Sequence, residues 1–276
     1  MKKLLVIALL LVGLICTAGI TEQMMMVVSR KKTGGGAATN FVNDARCIGA
    51  WAMNVDNGTE TDVSTNGNDL LIISSPGGLF RTNDVAGTLT GYSREFNESA
   101  DSEWLRDDPP GIRIQNLSTA LTVSAWIKLT SDPASVGAMT IIAVGSATTN
   151  EAFNIQVNGS GLLSFSESTT GSDLISRAGT YDVPISNWVH VAATWVPGAA
   201  NEVEFFTNGV PHETISTPTS TTIHSGPNAE ISIGNDPRGG LYFDGFIDEA
   251  FLADAILSNA EILSIYQNSM QATGGE

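Results

Sequence analysis

The chain is 276 residues long, 42% apolar and 15% charged, with a net charge of −16 from 29 acidic and 13 basic residues. That apolar content can build a core and excludes wholesale disorder, while so few charges exclude a long ionic helix or a coiled coil. The negative balance repels phosphate backbones and anionic headgroups, so neither nucleic acid nor an anionic lipid surface is expected as a partner.

The chain opens with Met1, Lys2 and Lys3, then an apolar run from Leu4 to Cys16, then the small residues Thr17, Ala18 and Gly19. These are the parts of a secretory signal peptide over residues 1–18, with cleavage after Ala18. The alternative is an uncleaved anchor reaching to about residue 28, because Met24–Val28 is apolar again before Arg30, Lys31 and Lys32. The unbroken apolar run is shorter than the roughly 20 residues of a spanning helix, and an anchor would bury Glu22. Membrane contact is therefore expected only through an uncleaved N-terminal segment, and the protein is expected to be secreted or held at the cell surface. Residues 19–40, with TGGGAAT at Thr33–Thr39, read as a flexible linker. The folded domain is placed at 41–270 and a loose tail at 271–276.

Removal of the leader takes Cys16 and leaves Cys47 without an intrachain partner. It sits in the apolar run Cys47–Met53 and reads as a small buried hydrophobe. From there the pattern is short β-like runs broken by Gly, Asn, Asp, Ser, Thr and Pro. Leu121–Ile127 (LTVSAWI) places an apolar residue at every second position, as do Phe153–Val157 and Leu163–Phe165; such alternation sets one face on a core. Asn158-Gly159 joins the last two as a hairpin. Trp188–Val196, Glu202–Thr207, a strand from Val210 after Asn208-Gly209, Ala229–Gly234 and Leu241–Leu252 complete the set. This is an all-β sandwich or barrel of about a dozen strands. One helix closes it: Ser258 is an N-cap, Glu261 completes a capping box, and Ile262, Ile265 and Tyr266 share a face up to about Asn268.

Taken in order, these segments resemble the laminin-G-like domains of the concanavalin A-like lectin and glucanase jelly rolls. Cys47–Met53 looks like that family's opening strand, and Asp62–Asp69 like the polar loop after it. Ser93–Phe96 resembles the strand ahead of a Phe-Asp-Gly turn, with Asn97 and Glu98 replacing the usual residues. Leu121–Ile127 is similar to a strand around an inward Trp, and Asn187–Ala192 to a Trp-His-His-Val-Ala strand with Val189 for the first His. Phe205–Gly209 resembles a Tyr-Val-Asp-Gly hairpin. Phe243–Glu249 matches a Phe-x-Gly-x-Ile-Asp-Glu segment, followed by Leu-Ser-x-x-Glu-Ile at Leu257–Ile262. The resemblance implies a two-sheet antiparallel jelly-roll sandwich with one short C-terminal helix. It also implies a non-catalytic binding module that meets a carbohydrate or an extracellular protein on sheet-edge loops. The alternatives are a surface or filament subunit anchored by its N-terminal helix, and a polysaccharide-cleaving enzyme of the same fold.

Members of this family often hold a structural calcium ion, and hard oxygen donors suit it. Asp248, Asp62 and Asn68 are the candidate ligands, since the two ends of the domain lie side by side in the family. Asp248 and Glu249 tempt as a glycosidase pair, yet on a regular strand they point to opposite faces, and the Glu-x-Asp-x-x-Glu strand of the family's glucanases is absent. Glu249 then reads as a solvated strand residue. His190, His212 and His224 lack paired zinc spacing, and His190 reads as a satisfied sheet histidine. Trp51, Trp126 and Trp188 match inward positions, and Trp195 falls near its strand end. Trp104, beside Arg106, Asp107 and Asp108, is the aromatic candidate for a binding surface. The loop Asn235–Gly240 offers Asn235, Asp236 and Arg238 as a binding rim. Asn57, Asn97, Asn116 and Asn158 begin Asn-x-Ser/Thr sequons.

Overall fold

Two stacked antiparallel sheets carry the chain. The computed structural model describes residues 41–55, 58–73, 81–86, 89, 91–97, 104–107, 120–146, 150–198, 203–216, 222–224 and 229–268, all within one unit, Thr39–Glu276. The leader, the glycine linker, the tail and the sequons at Asn57 and Asn116 lie outside the described residues. Among the described residues no helix is long and apolar enough to cross a membrane.

Fifteen strands are described: β1 (Cys47–Trp51), β2 (Leu70–Ile73), β3 (Arg81–Thr82), β4 (Ser93–Phe96), β5 (Trp104–Asp107), β6 (Leu121–Leu129), β7 (Met139–Ser146), β8 (Asn150–Val157), β9 (Leu162–Glu167), β10 (Ile175–Asp182), β11 (Val189–Trp195), β12 (Val203–Thr207), β13 (Val210–Ile215), β14 (Glu230–Ile233) and β15 (Gly245–Ala253). The first sheet runs β13-β12-β11-β6-β15-β4-β3, with β1 also paired to β15; the second runs β10-β9-β8-β7-β14-β5-β2. Leu241–Asp244, expected as part of the last strand, lies outside the ladder, and pairing begins at Gly245.

The alternating runs supply the core. Leu121, Val123, Ala125 and Ile127 of β6 and Val189, Val191, Ala193 and Trp195 of β11 face Phe153, Ile155 and Val157 of β8 and Leu163 and Phe165 of β9, all of them buried. Phe153 and Phe165 stack at 5.9 Å, worth about 1 kcal/mol beyond their area.

The outer face of the first sheet is covered as well. Helix α1 (Pro133–Val136) is a short turn after β6, whereas α2 (Asn259–Gln267) is the expected C-terminal helix. Ser258 Oγ accepts from the Glu261 amide and Glu261 returns the bond to the Ser258 amide, so both halves of the capping box form. Arg46, just before β1, donates to Glu261 and pins the helix start beside the opening strand. Ile262, Ile265 and Leu257 pack with Phe41, Val42, Cys47, Ala50, Phe206 and Phe251 in a second apolar layer. Burial raises the Cys47 thiol to about 12, so it stays a neutral thiol, inert by position.

Candidate functional site

The outer face of the second sheet carries the chemistry. Direct cross-strand partners place their side chains on one face, so the register strings Ser176, Ser166, Asn154, Ala143, Ser232, Arg106 and Leu71 into one transverse row across β10, β9, β8, β7, β14, β5 and β2. Ala178, Ser164, Gln156 and Thr140 form a second row beside it. Both rows are neutral and small except at Arg106. Ser166, Asn154, Ser232, Ser164, Gln156 and Thr140 are all buried, and Thr140 Oγ1, Gln156 Oε1 and Ser166 Oγ have no hydrogen-bond partner among the described residues. A sheet face packed with hydroxyls and amides of unspent capacity differs from a solvated face, where charges dominate.

Trp104 shares this face with Arg106, since they stand two apart on β5. The Arg106 guanidinium carbon lies 5.6 Å from the Trp104 ring centre, within cation–π range. Both are half-buried, so this end of the row is accessible. Glu230, two residues before Ser232, reaches Arg106 Nε at 3.7 Å.

The turn after β14 bends toward the same face. Ser232 Oγ donates to the Asn235 carbonyl at 2.7 Å. Asp236 accepts from the Arg238 amide, Nε and Nη2 at 2.8, 3.0 and 2.7 Å, a closed fork that leaves the Arg238 side chain 38% exposed. Asn235 and Asp236 are buried, and Asn235 Oδ1 has no partner among the described residues. Gly234 makes the turn possible: its φ is +83° and a Cβ would stand 2.3 Å from the Phe96 ring. Of the sequence candidates, Asn235 is thus tied to Ser232 of the polar row, Trp104 sits with Arg106 at its accessible end, and Asp236 holds Arg238.

Two of the three candidate calcium ligands, Asp62 and Asn68, take part in closing the loop before β2. Asp62 accepts from the Ala50 and Ser64 amides through Oδ1 and from Ser64 Oγ and the Asn68 amide through Oδ2. Asn68 Nδ2 donates to the Ile48 carbonyl at 2.7 Å. These bonds fold the polar loop onto β1. Among the described residues no three His, Cys, Asp or Glu side chains gather as a metal cluster. As arranged, Asp62 and Asn68 hold the polar loop against β1.

Asp248 and Glu249 depart from the regular strand expected for them. The ladder between β15 and β6 slips between Asp248 and Phe251, and Glu249 takes φ +46°. At such a bulge the strict alternation of faces fails. Glu249, expected to be solvated, is buried, as is Asp248. Burial first, then the neighbouring Glu249 and Glu60 carboxylates, push the Asp248 carboxyl up to about 9, against the Glu249 amide bond that favours its charge. Asp248 is therefore protonated at neutral pH. Nearby, Glu60 pairs with the fully buried Arg94 at 2.5 Å.

Two of the three indoles expected inward are not in the core between the sheets. Trp51 is, with its Nε1 donating to the Asn68 carbonyl, and Trp195 joins it. Trp126 and Trp188 pack on the outer face of the first sheet with Ala86, Leu89, Val85 and Tyr266. The alternation itself demands this: Trp126 lies between inward Ala125 and Ile127 and must point the other way. Asp84 organises the patch, accepting from Trp188 Nε1 at 2.9 Å and Lys128 Nζ at 2.5 Å. His190 stands opposite Trp126 in the register. It is not the satisfied histidine expected, because neither ring nitrogen has a hydrogen-bond partner among the described residues. Burial lowers its pKa to about 3, so the ring is neutral.

A family model matches residues 109–263, more than half of the chain. The chain belongs to the concanavalin A-like lectin/glucanases superfamily. No curated protein sequence matches it. Among solved structures of the same fold is domain 4 of AbnA, a GH43 extracellular arabinanase from Geobacillus stearothermophilus, in complex with arabinotriose: 19% identity, TM-score 0.56, covering 82% of this chain and 100% of that one. The botulinum neurotoxin type C structure, from work on its interaction with two ganglioside molecules, gives 15% identity and TM-score 0.57 over 83% of this chain and 52% of that one. The botulinum neurotoxin serotype G binding domain gives 12% identity and TM-score 0.59 over 82% and 51%. This superfamily member thus spans about half the length of those toxin chains, and at such identities the likeness is one of fold.

Sequence reasoning passed over Arg106 as a residue in its own right and missed Glu230, Ser232, Asn154, Ser166, Gln156 and Thr140. A signal was available. In FNIQV, LLSFSE and EISI the off-core positions include Asn, Gln and Ser but, within the strands, hardly a charge.

Proposed function

We propose that this chain is a non-catalytic carbohydrate-binding module that works outside the cell, with its site on the outer face of the second sheet. The observation that carries the reading is the accessible end of the polar row, where Trp104 stands beside Arg106 and Glu230. Sugars need both halves of that arrangement. Ring faces stack on an indole, and hydroxyl groups exchange hydrogen bonds with a guanidinium and a carboxylate. The extracellular placement rests on the leader at residues 1–18. An arabinotriose-bound domain among the neighbours of like fold supports a glycan partner. Binding without turnover is favoured because glycoside hydrolysis needs two carboxyl groups flanking the bond, and Glu230, a carboxylate among the described residues at the accessible end of this face, lies 3.7 Å from Arg106 Nε.

The test is a glycan array with the full chain, with and without calcium. Trp104→Ala should weaken any hit at least about tenfold, the size of a lost stacking anchor, without lowering the melting temperature by more than a few degrees. A hit indifferent to Trp104→Ala would move the site elsewhere, and product release from the bound glycan would make the protein an enzyme.

A further inference from the structure

The specificity of this face depends on one ion pair, and the inference rests on the carbohydrate reading, which it deepens. We propose that Glu230 is the specificity-determining residue: by neutralising Arg106 it confines the site to uncharged oligosaccharides and turns away carboxylated or sulfated ones.

The geometry supports this in three respects. Arg106 and Glu230 flank Ser232 on the same face, with Nε and Oε2 3.7 Å apart. That separation is too long for a hydrogen bond but close enough for the charges to cancel. Arg106 Nε has no hydrogen-bond partner among the described residues, so its charge is balanced while this donor is unspent. The side chains are 31% and 14% exposed, which leaves both within reach of a ligand. A sugar hydroxyl can accept from Arg106 and donate to Glu230. A carboxylate or sulfate gains the same guanidinium only by lying against the Glu230 carboxylate.

Ser232, Asn154, Ser166, Gln156 and Thr140 are neutral, and the chain as a whole carries −16. Removing the Glu230 charge would leave an uncompensated guanidinium beside an indole, an arrangement suited to planar carboxylates.

The experiment is isothermal titration of the full chain with neutral arabino-, xylo- and cello-oligosaccharides and with trigalacturonate, for wild type and Glu230→Gln. The wild type should bind a neutral oligosaccharide, with trigalacturonate weaker by about tenfold or more. In Glu230→Gln the ratio of trigalacturonate to neutral affinity should rise by about tenfold, and adding Arg106→Gln should erase that gain. Should Glu230→Gln not fold, salt provides the second measurement on the wild type. Screening a repulsion makes trigalacturonate bind more tightly as salt rises, whereas screening an attraction makes it bind less tightly. A wild type that prefers trigalacturonate, with binding lost in Trp104→Ala, overturns this inference and leaves the carbohydrate reading standing. So does an unchanged ratio in a folded Glu230→Gln. If neither protein binds any oligosaccharide, the carbohydrate reading itself fails and this inference falls with it.

Discussion

Replacing Asp248 by asparagine should remove the alkaline sensitivity of the fold. The Asp248 carboxyl is held at about 9 in the folded chain, against 3.8 as its ordinary value. Between those values the folded state keeps a proton that the unfolded state has lost, so stability falls as pH rises, by up to about 1.4 kcal/mol per pH unit. The group is buried, so solvent screening does not dilute the effect. His190 acts with the opposite sign. Its folded pKa of about 3 lies below the ordinary 6.5, so its contribution is complete above pH 6.5 and is lost as pH falls toward 3. The two slopes oppose each other from about 4 to 6.5. Above 6.5 the Asp248 slope is no longer opposed by His190, and the Cys47 thiol adds to it above 9, its ordinary value. From pH 7 to 8.5 the wild type should therefore lose about 2 kcal/mol, or roughly 4–8 °C of melting temperature for a domain of this size. Asparagine keeps an oxygen to accept from the Glu249 amide, at 2.8 Å from Asp248 Oδ1, but cannot ionise. Asp248→Asn should match the wild type only near or below pH 4, where the carboxyl is protonated in both states, exceed it increasingly as pH rises, and hold its stability from pH 7 to 8.5. Thermal melts in matched ionic strength read both curves. A variant with the wild-type alkaline slope would refute the assignment of that proton to Asp248.

Two further substitutions probe the scaffold. Gly209 has φ +75°, and a Cβ there would stand 2.9 Å from Tyr266 Cβ and 3.0 Å from Leu263 Cδ1; Gly209→Ala should cost about 1–3 kcal/mol and, by loosening α2, raise acrylamide quenching of Trp126, while unchanged quenching would mean the helix does not seal that indole. Asp62→Ala strips four hydrogen bonds from the loop over β1 and should cost roughly 2 kcal/mol or more. Melts of the wild type in chelator and in calcium should coincide, because both Asp62 oxygens are already taken by donors; a calcium-dependent rise would show that the loop rearranges to bind the ion.

Much of the architecture was legible in the residues. LTVSAWI and FNIQV each form a strand with the expected inward face, the strand expected after them at Glu202–Thr207 is β12 (Val203–Thr207), and Ser258 with Glu261 opens the helix where the capping box placed it. The candidate site was legible only in Trp104 and Asn235, because its remaining members come from five strands and are brought together by sheet order and register.

Local pattern decided which residues face a core, since side-chain direction along a strand follows from the backbone of that strand. It also decided where the last helix starts, since a cap is closed by residues three apart. Tertiary structure decided what lies on the other face of each sheet. Helix α2 and the segment around Ala86 bury Trp126 and His190, and a bulge turns Glu249 out of strict alternation into the interior. The pairing of Arg106 with Glu230 was likewise out of reach of the sequence, because a charge pair between strands depends on sheet order and register, which no short stretch of chain encodes.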